Sequence, residues 1–424
     1  MSNADLVEIG AFRATEIGSL PEDWSVAALG QVAHVYSGGT PSRSRPEYWG
    51  PPVPWVTTAE VNFGEIHSTK EQITLVGLNN SAATVAPSGT LLIAMYGQGK
   101  TRGKTAILGV DAAMNQACAA IEPGVSLSAR YLFHYLVASY DRIRILSNTG
   151  NQENLSGKLV KKILVPVPPK SEQTRIESFL DDADSLIWSL MHVIAKKESI
   201  KQGVIQQLLM GKTRLSGFGE TWSAYKLDEL GLFLKGYGIK RDDVQTSGIA
   251  CIRYGELYTT YRDYTSTTVS FVTPSVAATA LPIHQGDLLF AGSGETRNEI
   301  GIGIAFTGTQ RAVAGGDIVV LRAPDVNPVY LASLINTPIV AARKARLGQG
   351  DAVVHISSRA LSSIEVDLPP RDEQDAIAQV LVDADNEIRA LKVSLVKVRR
   401  IKQGMMQELL TGRTRLPVAE VVRA

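Results

Sequence analysis

One block of 47 residues occurs twice in this chain, and this repeat constrains the fold more than any other feature of the sequence. Residues 169–215 align with residues 370–416 at a constant offset of 201 without a gap, and 22 of the 47 positions are identical. The copies end on IKQGVIQQLLMGKTRL and IKQGMMQELLTGRTRL. The fold must therefore use one structural element in two places.

Each copy of the repeat is predicted to form one long helix. Two prolines, at 168–169 and 369–370, mark the start of each copy and cannot continue a central strand, and Ser171 or Asp372 follows as a capping residue. Gly211 and Gly412 suit the left-handed position after the last helical turn, and basic residues follow them. About forty residues at ~1.5 Å each make a rod of roughly 60 Å.

Apolar residues recur in both copies with the spacing of a coiled-coil seam. The pattern holds over five heptads, and neither seam has a better partner in the chain than the other seam. The alternative is that these are ordinary core helices of a bundle. The seam is formed by Ile176, Leu180, Ile187, Leu190 and Ile194 in the first copy, and by Ile377, Leu381, Ile388, Leu391 and Leu395 in the second.

The segments before the two helices also resemble each other, though faintly. Trp24 matches Trp222, Gly89 in SGTLLIA matches Gly286 in QGDLLFA, and the offsets drift between 197 and 201. Both segments mix short β-branched runs with turn residues and contain one helical stretch, ARYLFHYLVASYDRIRIL or PVYLASLINTPIVAARKARL. We predict two divergent α+β domains over residues 15–168 and 216–369, with helical spacers over residues 169–215 and 370–416.

Composition excludes a global electrostatic attraction to nucleic acid or membranes. The chain has 43 Lys and Arg against 42 Asp and Glu, a net charge of +1, so any such binding must be local, and we expect the isolated chain to bind DNA weakly. The two cysteines, Cys118 and Cys251, lie far apart, which argues against disulfides or a zinc ribbon and suits a reducing cytosol. We expect two buried thiols.

Neither a targeting segment nor a metal site is expected. The N-terminal residues lack a basic region followed by an apolar one, and no run approaches the roughly 18 apolar residues of a spanning helix. The six histidines show no H-x-x-x-H or H-E-x-x-H spacing, and His355 is expected to be structural. These features predict a cytoplasmic protein without a metal site.

The motifs of the repeat resemble those of a known family. The P-P-x-x-E-Q-x-x-I start, the I-K-Q-G…L-L-x-G-x-T-R-L end and the strings WVTTAE (55–60) and GTLLI (89–93) resemble the DNA-specificity subunit of type I restriction-modification systems. The resemblance extends from about residue 15 to 416. It implies two homologous α+β target-recognition domains separated by two long helices, which pack as an antiparallel coiled coil with pseudo-two-fold symmetry.

The same resemblance implies function and partners. Each target-recognition domain would read one half of a bipartite site in double-stranded DNA. The helices would dock two adenine-N6 methyltransferase (modification) subunits, which bring S-adenosylmethionine, and the full complex would add restriction/translocase subunits. We expect this chain to bind no cofactor itself and to be non-catalytic, because it lacks the N-P-P-Y or D-P-P-Y string of adenine methyltransferases.

A basic stretch in the first domain is the best local candidate for DNA contact. No Asp or Glu occurs from Gln72 to Val110. Lysine and arginine suit phosphates and guanine acceptors, and glutamine suits adenine. The alternative is a solvated basic hairpin. The candidates are Tyr96, Gln98, Lys100, Arg102 and Lys104, with Thr57 and Thr58 after Trp55 as weaker ones and Trp55 itself expected in the core.

The second domain offers corresponding candidates in a more acidic setting. Asp242, Asp243, Glu295 and Glu299 lie among them, so we expect fewer phosphate contacts and more acceptor-type readout there. The candidates are Lys240 and Arg241 after a glycine-rich turn, Arg253 and Tyr254 in an expected strand, and Arg297 and Asn298 in the loop GSGETRNE.

Each domain also places a basic helix end before a glycine turn. We expect these ends to clamp phosphates without reading sequence, and the alternative is a solvated helix face. The residues are Arg142, Arg144 and Asn151 in the first domain, and Arg343, Lys344 and Arg346 in the second.

Two other functions remain open at this point. AMYGQGKT has a relaxed phosphate-loop spacing around Lys100, but a working loop of this kind leads into a helix, whereas RGKTAILGV predicts a strand. A nucleotide hydrolase is therefore the weaker alternative. A coiled-coil adaptor with protein-binding heads is the other.

Overall fold

The computed structural model describes residues 11–97, 99–146, 154–350 and 353–416. The chain divides into two compact units. The first unit comprises residues 1–191 and 393–424, and the second comprises residues 192–392. Each unit consists of one α+β head and one half of each long helix.

The head of the first unit contains thirteen short strands and five short helices in its described residues. The helices are α1 (Leu29–Val32), α2 (Leu75–Asn79), α3 (Ala129–Ala138), α4 (Tyr140–Ile145) and α5 (Gly157–Lys161). The strands are β1 (Phe12–Thr15), β2 (Gly18–Pro21), β3 (Ser25–Ala28), β4 (Ala33–Ser37), β5 (Trp49–Val56), β6 (Glu65–Ile66), β7 (Glu71–Ile73), β8 (Val85–Ala86), β9 (Leu91–Ala94), β10 (Thr105–Leu108), β11 (Ala112–Met114), β12 (Cys118–Pro123) and β13 (Leu164–Val167).

The strands of this head form two larger sheets. The five-stranded sheet has the order β4-β12-β9-β10-β6 and the four-stranded sheet the order β7-β5-β11-β8. Strands β9 and β10 are buried along their full length, so their sequences, LLIA and TAIL, show no alternation of apolar and polar residues. Tyr131 and Leu132 of α3 belong to the same core as Leu91 and Ile93 of β9.

Helix α6 (Lys170–Leu209) leads from the first head into the second unit. The second head has helices α7 (Tyr254–Thr259), α8 (Pro274–Ala277), α9 (Pro328–Ile335), α10 (Pro338–Leu347) and α11 (Ser358–Ser362). Its strands are β14 (Ser223–Lys226), β15 (Leu232–Lys235), β16 (Ile249–Ile252), β17 (Tyr264–Thr265), β18 (Ser270–Val272), β19 (Leu281–Ile283), β20 (Leu288–Ala291), β21 (Ser293–Gly294), β22 (Gly303–Phe306), β23 (Ala312–Ala314), β24 (Ile318–Arg322), β25 (Val354–His355) and β26 (Glu365–Leu368). Helix α12 (Arg371–Leu409) follows.

The second head repeats the sheets of the first. Its five-stranded sheet has the order β15-β24-β20-β22-β17, and its four-stranded sheet has the order β18-β16-β23-β19. Strand for strand, these match the two sheets of the first head, including the parallel pairs β10-β6 and β22-β17. Gly89 and Gly286, which the faint alignment equates, both have positive φ angles, +87° and +95°. The prediction of two domains with one α+β fold is confirmed.

Each unit contains an antiparallel pair of half-helices. In the first unit Asp184 pairs with Lys402, and Met191 lies against Arg399, so residue numbers rise along α6 as they fall along α12. In the second unit Lys201 pairs with Asp385, and Glu198 with Lys392. Asp385 and Lys402 stand 201 positions after Asp184 and Lys201, so the repeat supplies the same ion pair to both units.

The E-Q motif of each repeat joins its helix to the head of its unit. Glu172 is 2 % exposed, and both its oxygens bind Arg415, with Nε to Oε1 at 2.5 Å. The amide of Gln173 accepts a hydrogen bond from the Ser128 N–H and donates to the Ser126 carbonyl. The motif is therefore structural: its amide binds backbone groups of the head and fixes the start of the helix against the segment before α3.

The second unit uses the equivalent residues. Glu373 is fully buried and binds Arg214 through Nε and Nη2, at 2.5 and 2.6 Å. Gln374 accepts from the Asn327 N–H and donates to the Pro369 carbonyl. The R of each T-R-L string thus binds the E of the other copy, which accounts for both motifs being present in both repeats.

The helix ends differ in part from the prediction. Gly211 and Gly412 have φ angles of +64° and +67°, which confirms left-handed C-terminal positions. The predicted caps are wrong, because α6 and α12 begin at Lys170 and Arg371, which puts Ser171 and Asp372 inside the first turn. The Pro169 carbonyl accepts from the Gln173 N–H, so the second proline occupies the position before the helix.

The helical stretch expected in each head is also interrupted. The first breaks at Ser139 into α3 and α4, and the second breaks between Ile335 and Pro338 into α9 and α10. Pro338 has no N–H for an intrahelical hydrogen bond and starts a new helix instead.

The ten seam residues are all buried or half-buried; Ile176, Leu180, Ile377 and Leu381 are at most 2 % exposed.

Cys118 and Cys251 are buried free thiols, and burial raises the pKa of Cys118 to about 12. None of the helices in the described ranges has the length and apolar character needed to cross a membrane.

Candidate nucleic-acid interface

The basic stretch of the first head lies in the connection between β9 and β10, which we call the first loop (residues 95–104). The chain enters antiparallel strand β10 after this connection, with Thr105 opposite Ile93. A helix N-terminus, which a phosphate-binding loop requires, does not follow the first loop. The nucleotide-hydrolase alternative therefore has no structural support at Lys100.

Side chains of the first loop differ in exposure. Tyr96 is 43 % exposed and Lys100 is exposed. Lys104 is half-buried, and its Nζ lies 2.7 Å from Asn62 Oδ1 and 5.6 Å from the centre of the Phe63 ring. Arg102 is only 7 % exposed, so the expectation that it faces DNA is corrected: its side chain points into the head. Gln98 lies outside the described residues.

The basic helix end of the first head braces the first loop. Arg144 of α4 donates through Nη2 to the Gly99 carbonyl at 2.5 Å, and the Tyr140 hydroxyl donates to the Lys100 carbonyl. Arg142 is exposed and donates to the hydroxyl of Tyr135 and, at 3.3 Å, to that of Ser139. The structure therefore brings the two predicted basic features of this head together, whereas Asn151 lies outside the described residues.

The two threonines after β5 serve a local turn. The Thr57 N–H and hydroxyl both donate to Glu60 Oε2, at 2.7 and 3.0 Å. Thr57 and Thr58 are half-buried, and Trp55 is 2 % exposed with its indole N–H bound to the Gly39 carbonyl. Trp55 is a core residue, as the sequence predicted.

The second head has an equivalent connection between β20 and β22, which we call the second loop (residues 292–302). Its tip, residues 295–299, is exposed and contains Arg297 and Asn298. Ser293 and Gly294 of β21 pair with β25, and the Ser293 hydroxyl lies 2.8 Å from His355 Nδ1. Arg297 Nη2 donates to the Gly350 carbonyl at 3.3 Å, which joins the tip to the segment after α10.

The basic helix end of the second head is divided between surface and interior. Arg343 and Arg346 are exposed, and Arg343 Nη1 donates to the Glu365 carbonyl. Lys344 is 2 % exposed, and its Nζ donates to the Gly301 carbonyl at 2.6 Å. Burial lowers the pKa of Lys344 to about 7. The expectation that Lys344 clamps phosphate is corrected, because its ammonium is enclosed by the head.

The remaining candidates lie at the N-terminal ends of two short helices. Lys240 and Arg241 are exposed, and the Lys240 N–H binds Asp243 Oδ2. The expectation that Arg253 and Tyr254 lie in a strand is wrong: β16 ends at Ile252, and Arg253 is the residue before α7, with its Nε 2.8 Å from Glu256 Oε1. The N–H groups at the start of a helix lack intrahelical partners, and the Glu256 carboxylate accepts from one of them, the Arg253 N–H, at 3.2 Å.

Two tyrosines that the sequence did not single out also hold these loops. Tyr140 binds the first loop, and Tyr258 of α7 donates to the Ser293 carbonyl of the second loop at 3.0 Å. Burial raises the pKa of Tyr258 above its usual value, so the hydroxyl remains a donor. A signal was available for Tyr140, which stands two residues before the basic helix end at Arg142.

Among the described residues, His134, Asp181 and Asp184 form a group close enough to hold a metal ion. Their charges are already matched within the unit: Asp181 Oδ1 lies 2.8 Å from His134 Nε2, and Lys402 binds both oxygens of Asp184.

Comparisons with known proteins agree with this architecture. The family model described as the type I restriction modification DNA specificity domain matches residues 21–202. The putative type I restriction enzyme MjaX specificity subunit of Methanocaldococcus jannaschii is 24 % identical over 96 % of this chain and 97 % of its own length. The resemblance to type I restriction-modification specificity subunits that the motifs predicted is therefore confirmed.

Other relatives are similar to this chain over about half of its length or in fold. The MjaIX specificity subunit of the same organism is 28 % identical over 42 % of this chain, and the match spans only 41 % of that relative. The S subunit of the type I system from M. genitalium has the same fold, with a TM-score of 0.58 at 13 % identity, covering 91 % of this chain and 96 % of that one.

Proposed function

We propose that this specificity subunit is the non-catalytic DNA-recognition component of a type I restriction-modification complex. Each head reads one half of a bipartite site in double-stranded DNA. The subunit also scaffolds two adenine-N6 methyltransferase subunits and, through them, restriction subunits. S-adenosylmethionine is bound by the methyltransferase partners and not by this chain, and the complex acts on DNA in the cytoplasm.

One observation carries the proposal of two readers. Both heads have the same strand order, and each places a loop with exposed polar and basic residues between the same two central strands. The loops share the string G-x-G-x-T-R (residues 97–102 and 292–297), but the positions between these residues differ, with Gln98 and Lys100 in the first head against Ser293 and Glu295 in the second. A shared frame with dissimilar loops suits two readers of different base sequences, because side chains at base edges carry the specificity.

The long helices support the proposal of protein partners. Large apolar side chains remain exposed on them, including Trp188 at 68 %, Val393 at 64 % and Ile200 at 53 %. Apolar side chains at such levels on paired helices leave surface for further burial. The repeat gives both units equivalent helix segments, and Ile401, the counterpart of Ile200, is exposed to a similar extent at 51 %, so each unit can offer an equivalent position to one of two identical partners.

A head exchange tests the proposal. Residues 15–165 are replaced by those of a relative with a different site, and N6-methyladenine is mapped across the genome of cells that express the chimera and its methyltransferase. One half of the bipartite site should change and the other should remain. Changes in both halves, or in neither, would exclude one reader per head.

A coiled-coil adaptor with protein-binding heads is the competing function. Footprinting of the complex with its methyltransferase distinguishes the two, because a DNA reader protects two short segments separated by unread base pairs. Lengthening both long helices by about four residues, one turn, should change that separation. An adaptor would protect no bipartite site in either form.

A further inference from the structure

Lys344 is an unusual residue for the interior of a head. It is 2 % exposed and belongs to the largest fully buried side chains of the described residues. Its Nζ donates to a neutral group, the Gly301 carbonyl, at 2.6 Å. Lysine is rarely buried without a charged partner, because transfer of an ammonium out of water is costly. Its retention here calls for a role.

The partner of Lys344 marks the end of the second loop. Gly301 has a φ of +70°, and its N–H donates to the Ala291 carbonyl, which closes the loop across its base. A Cβ placed on Gly301 would lie 3.1 Å from Lys344 Cδ, so the lysine stem packs directly on this glycine. Lys344 therefore contacts the loop base through its stem and its amine.

The rest of the second loop is held at its other end. Tyr258 and His355 bind the carbonyl and the hydroxyl of Ser293. Ile300, next to Gly301, is 1 % exposed. With both ends fixed, only the tip at residues 295–299 projects from the head. A tip on a fixed base keeps Arg297 and Asn298 within a narrow range of positions.

The first head has a corresponding contact. Gly103 has a φ of +84°, its N–H donates to the Ala94 carbonyl, and a Cβ placed on it would lie 3.1 Å from Arg144 Cγ. Arg144 also donates to the Gly99 carbonyl of the first loop. Gly103 and Gly301 stand at the same point of the two sheets, so a cation from the following short helix packs on the loop-closing glycine in both heads.

We propose that Lys344 is a positioning residue for DNA reading by the second head: by holding Gly301 it fixes the base of the second loop, and it does so without touching phosphate. The inference rests on the proposed function of the heads as DNA readers. Arg144 holds the first loop in the equivalent way. A positioning residue affects discrimination between bases, whereas a phosphate contact affects binding to every sequence.

The test measures equilibrium binding of the full-length subunit, assembled with its methyltransferase, to three duplexes at several salt concentrations. One duplex carries the parental site, and each of the others has one half-site altered. Lys344→Met keeps the apolar stem and removes the donor, and Arg346→Met changes an exposed cation of the same helix. We expect Lys344→Met to reduce discrimination at the second half-site on the order of tenfold, to leave the first half-site unaffected, and to keep the salt slope.

Opposite results overturn the inference. If the salt slope of Lys344→Met falls by about one while discrimination is unchanged, Lys344 contacts phosphate. If neither the salt slope nor the discrimination changes, Lys344 has no role in DNA binding. If Lys344→Met does not fold, Gly301→Ala decides, because it disturbs the same contact without removing a charge: retained discrimination at the second half-site overturns the inference. A parental complex without preference for a bipartite site would instead refute the proposed function itself.

Discussion

In both heads a basic side chain packs on the glycine that closes the loop, but the hydrogen bonds that hold the two loops differ. In the first head Arg144 and Tyr140, both on α4, donate to carbonyls at the middle of the first loop. In the second head a buried lysine, Tyr258 and the short β21-β25 pair hold the two ends of the second loop. Main-chain carbonyls are available in any loop sequence, so bracing through them leaves the loop side chains free to diverge.

The junctions between the long helices and the heads also use equivalent residues but differ in their hydrogen bonds. Glu172 receives hydrogen bonds from Arg415 and from the Trp24 indole, at 3.0 Å. Glu373, its equivalent, binds Arg214, while the Trp222 indole N–H has no hydrogen-bond acceptor in the described part of the chain. Arg214 lies 5.6 Å from the centre of the Trp222 ring instead. The first junction therefore has a second donor that the second junction lacks.

The largest expected effect comes from breaking these junctions one at a time. Arg214→Met leaves the fully buried Glu373 without its cation, so it should lower the unfolding free energy of the second unit strongly. Arg415→Met should cost the first unit less, about 1–3 kcal/mol, because Trp24 still donates to Glu172. Hydrogen exchange of peptides from each unit measures both, and equal losses would remove the supposed role of Trp24.

The second-largest effect is expected in the pH dependence of the stability of the second unit, because Lys344 is buried. The pKa of Lys344 is lowered to about 7 in the folded head, so between pH 7 and about 10 the unfolded chain binds more protons than the folded one at this residue. Stability of the second unit should therefore rise with pH across this window, by up to about 1.4 kcal/mol per pH unit, and the gain should be absent below pH 7.

One substitution in each head serves as a control for this pH effect. Lys344→Met should flatten the rise in the second unit, whereas Arg144→Met should leave the pH dependence of the first unit as it was, because guanidinium groups do not titrate in this range. Hydrogen exchange followed from pH 6 to 9, corrected for the intrinsic exchange rate, gives the slopes. If stability still rises with pH in Lys344→Met, a residue other than Lys344 binds the additional protons of the unfolded chain.

A smaller difference is expected between the two seam ion pairs. The side chain of Asp385 is 21 % exposed and that of Asp184 is 41 %, while their lysine partners are both 14 % exposed. Solvent screens the Asp184 pair more, so Asp385→Asn should cost about 1–2 kcal/mol and Asp184→Asn less than about 1 kcal/mol. Urea unfolding monitored unit by unit tests the order, and a reversed order would contradict this reliance on burial.

The smallest effect compares single lysines of the two heads. Lys100 and Lys240 are both exposed, but Lys240 is followed by Asp242 and Asp243. Lys100→Ala should lower the salt slope of DNA binding by about one, and Lys240→Ala by less, since nearby carboxylates weaken its attraction to phosphate. Titrations of the complex between about 50 and 200 mM salt measure the slopes. Equal slopes would show that the acidic neighbours have no influence.

The sequence predicted some features of the second head wrongly for identifiable reasons. Arg253 and Tyr254 follow a β-branched run and were expected in a strand, but the Glu256 side chain caps a helix there. Lys344 and Arg346 look alike in a basic run, yet one is enclosed and the other exposed. Residue type reports charge, whereas exposure depends on which strands and helices cover a position.

The sequence by itself determined the duplicated long helices, their seams, the glycines that end them and the presence of two similar α+β heads. Those features follow from local rules, periodicity and repetition, which are readable one residue at a time. Only the tertiary structure decided that the E-Q motif of one repeat binds the arginine of the other, and that Lys344 lies beneath Gly301. Such contacts join residues 43 to 243 positions apart, and their geometry exists only once the chain between them has folded.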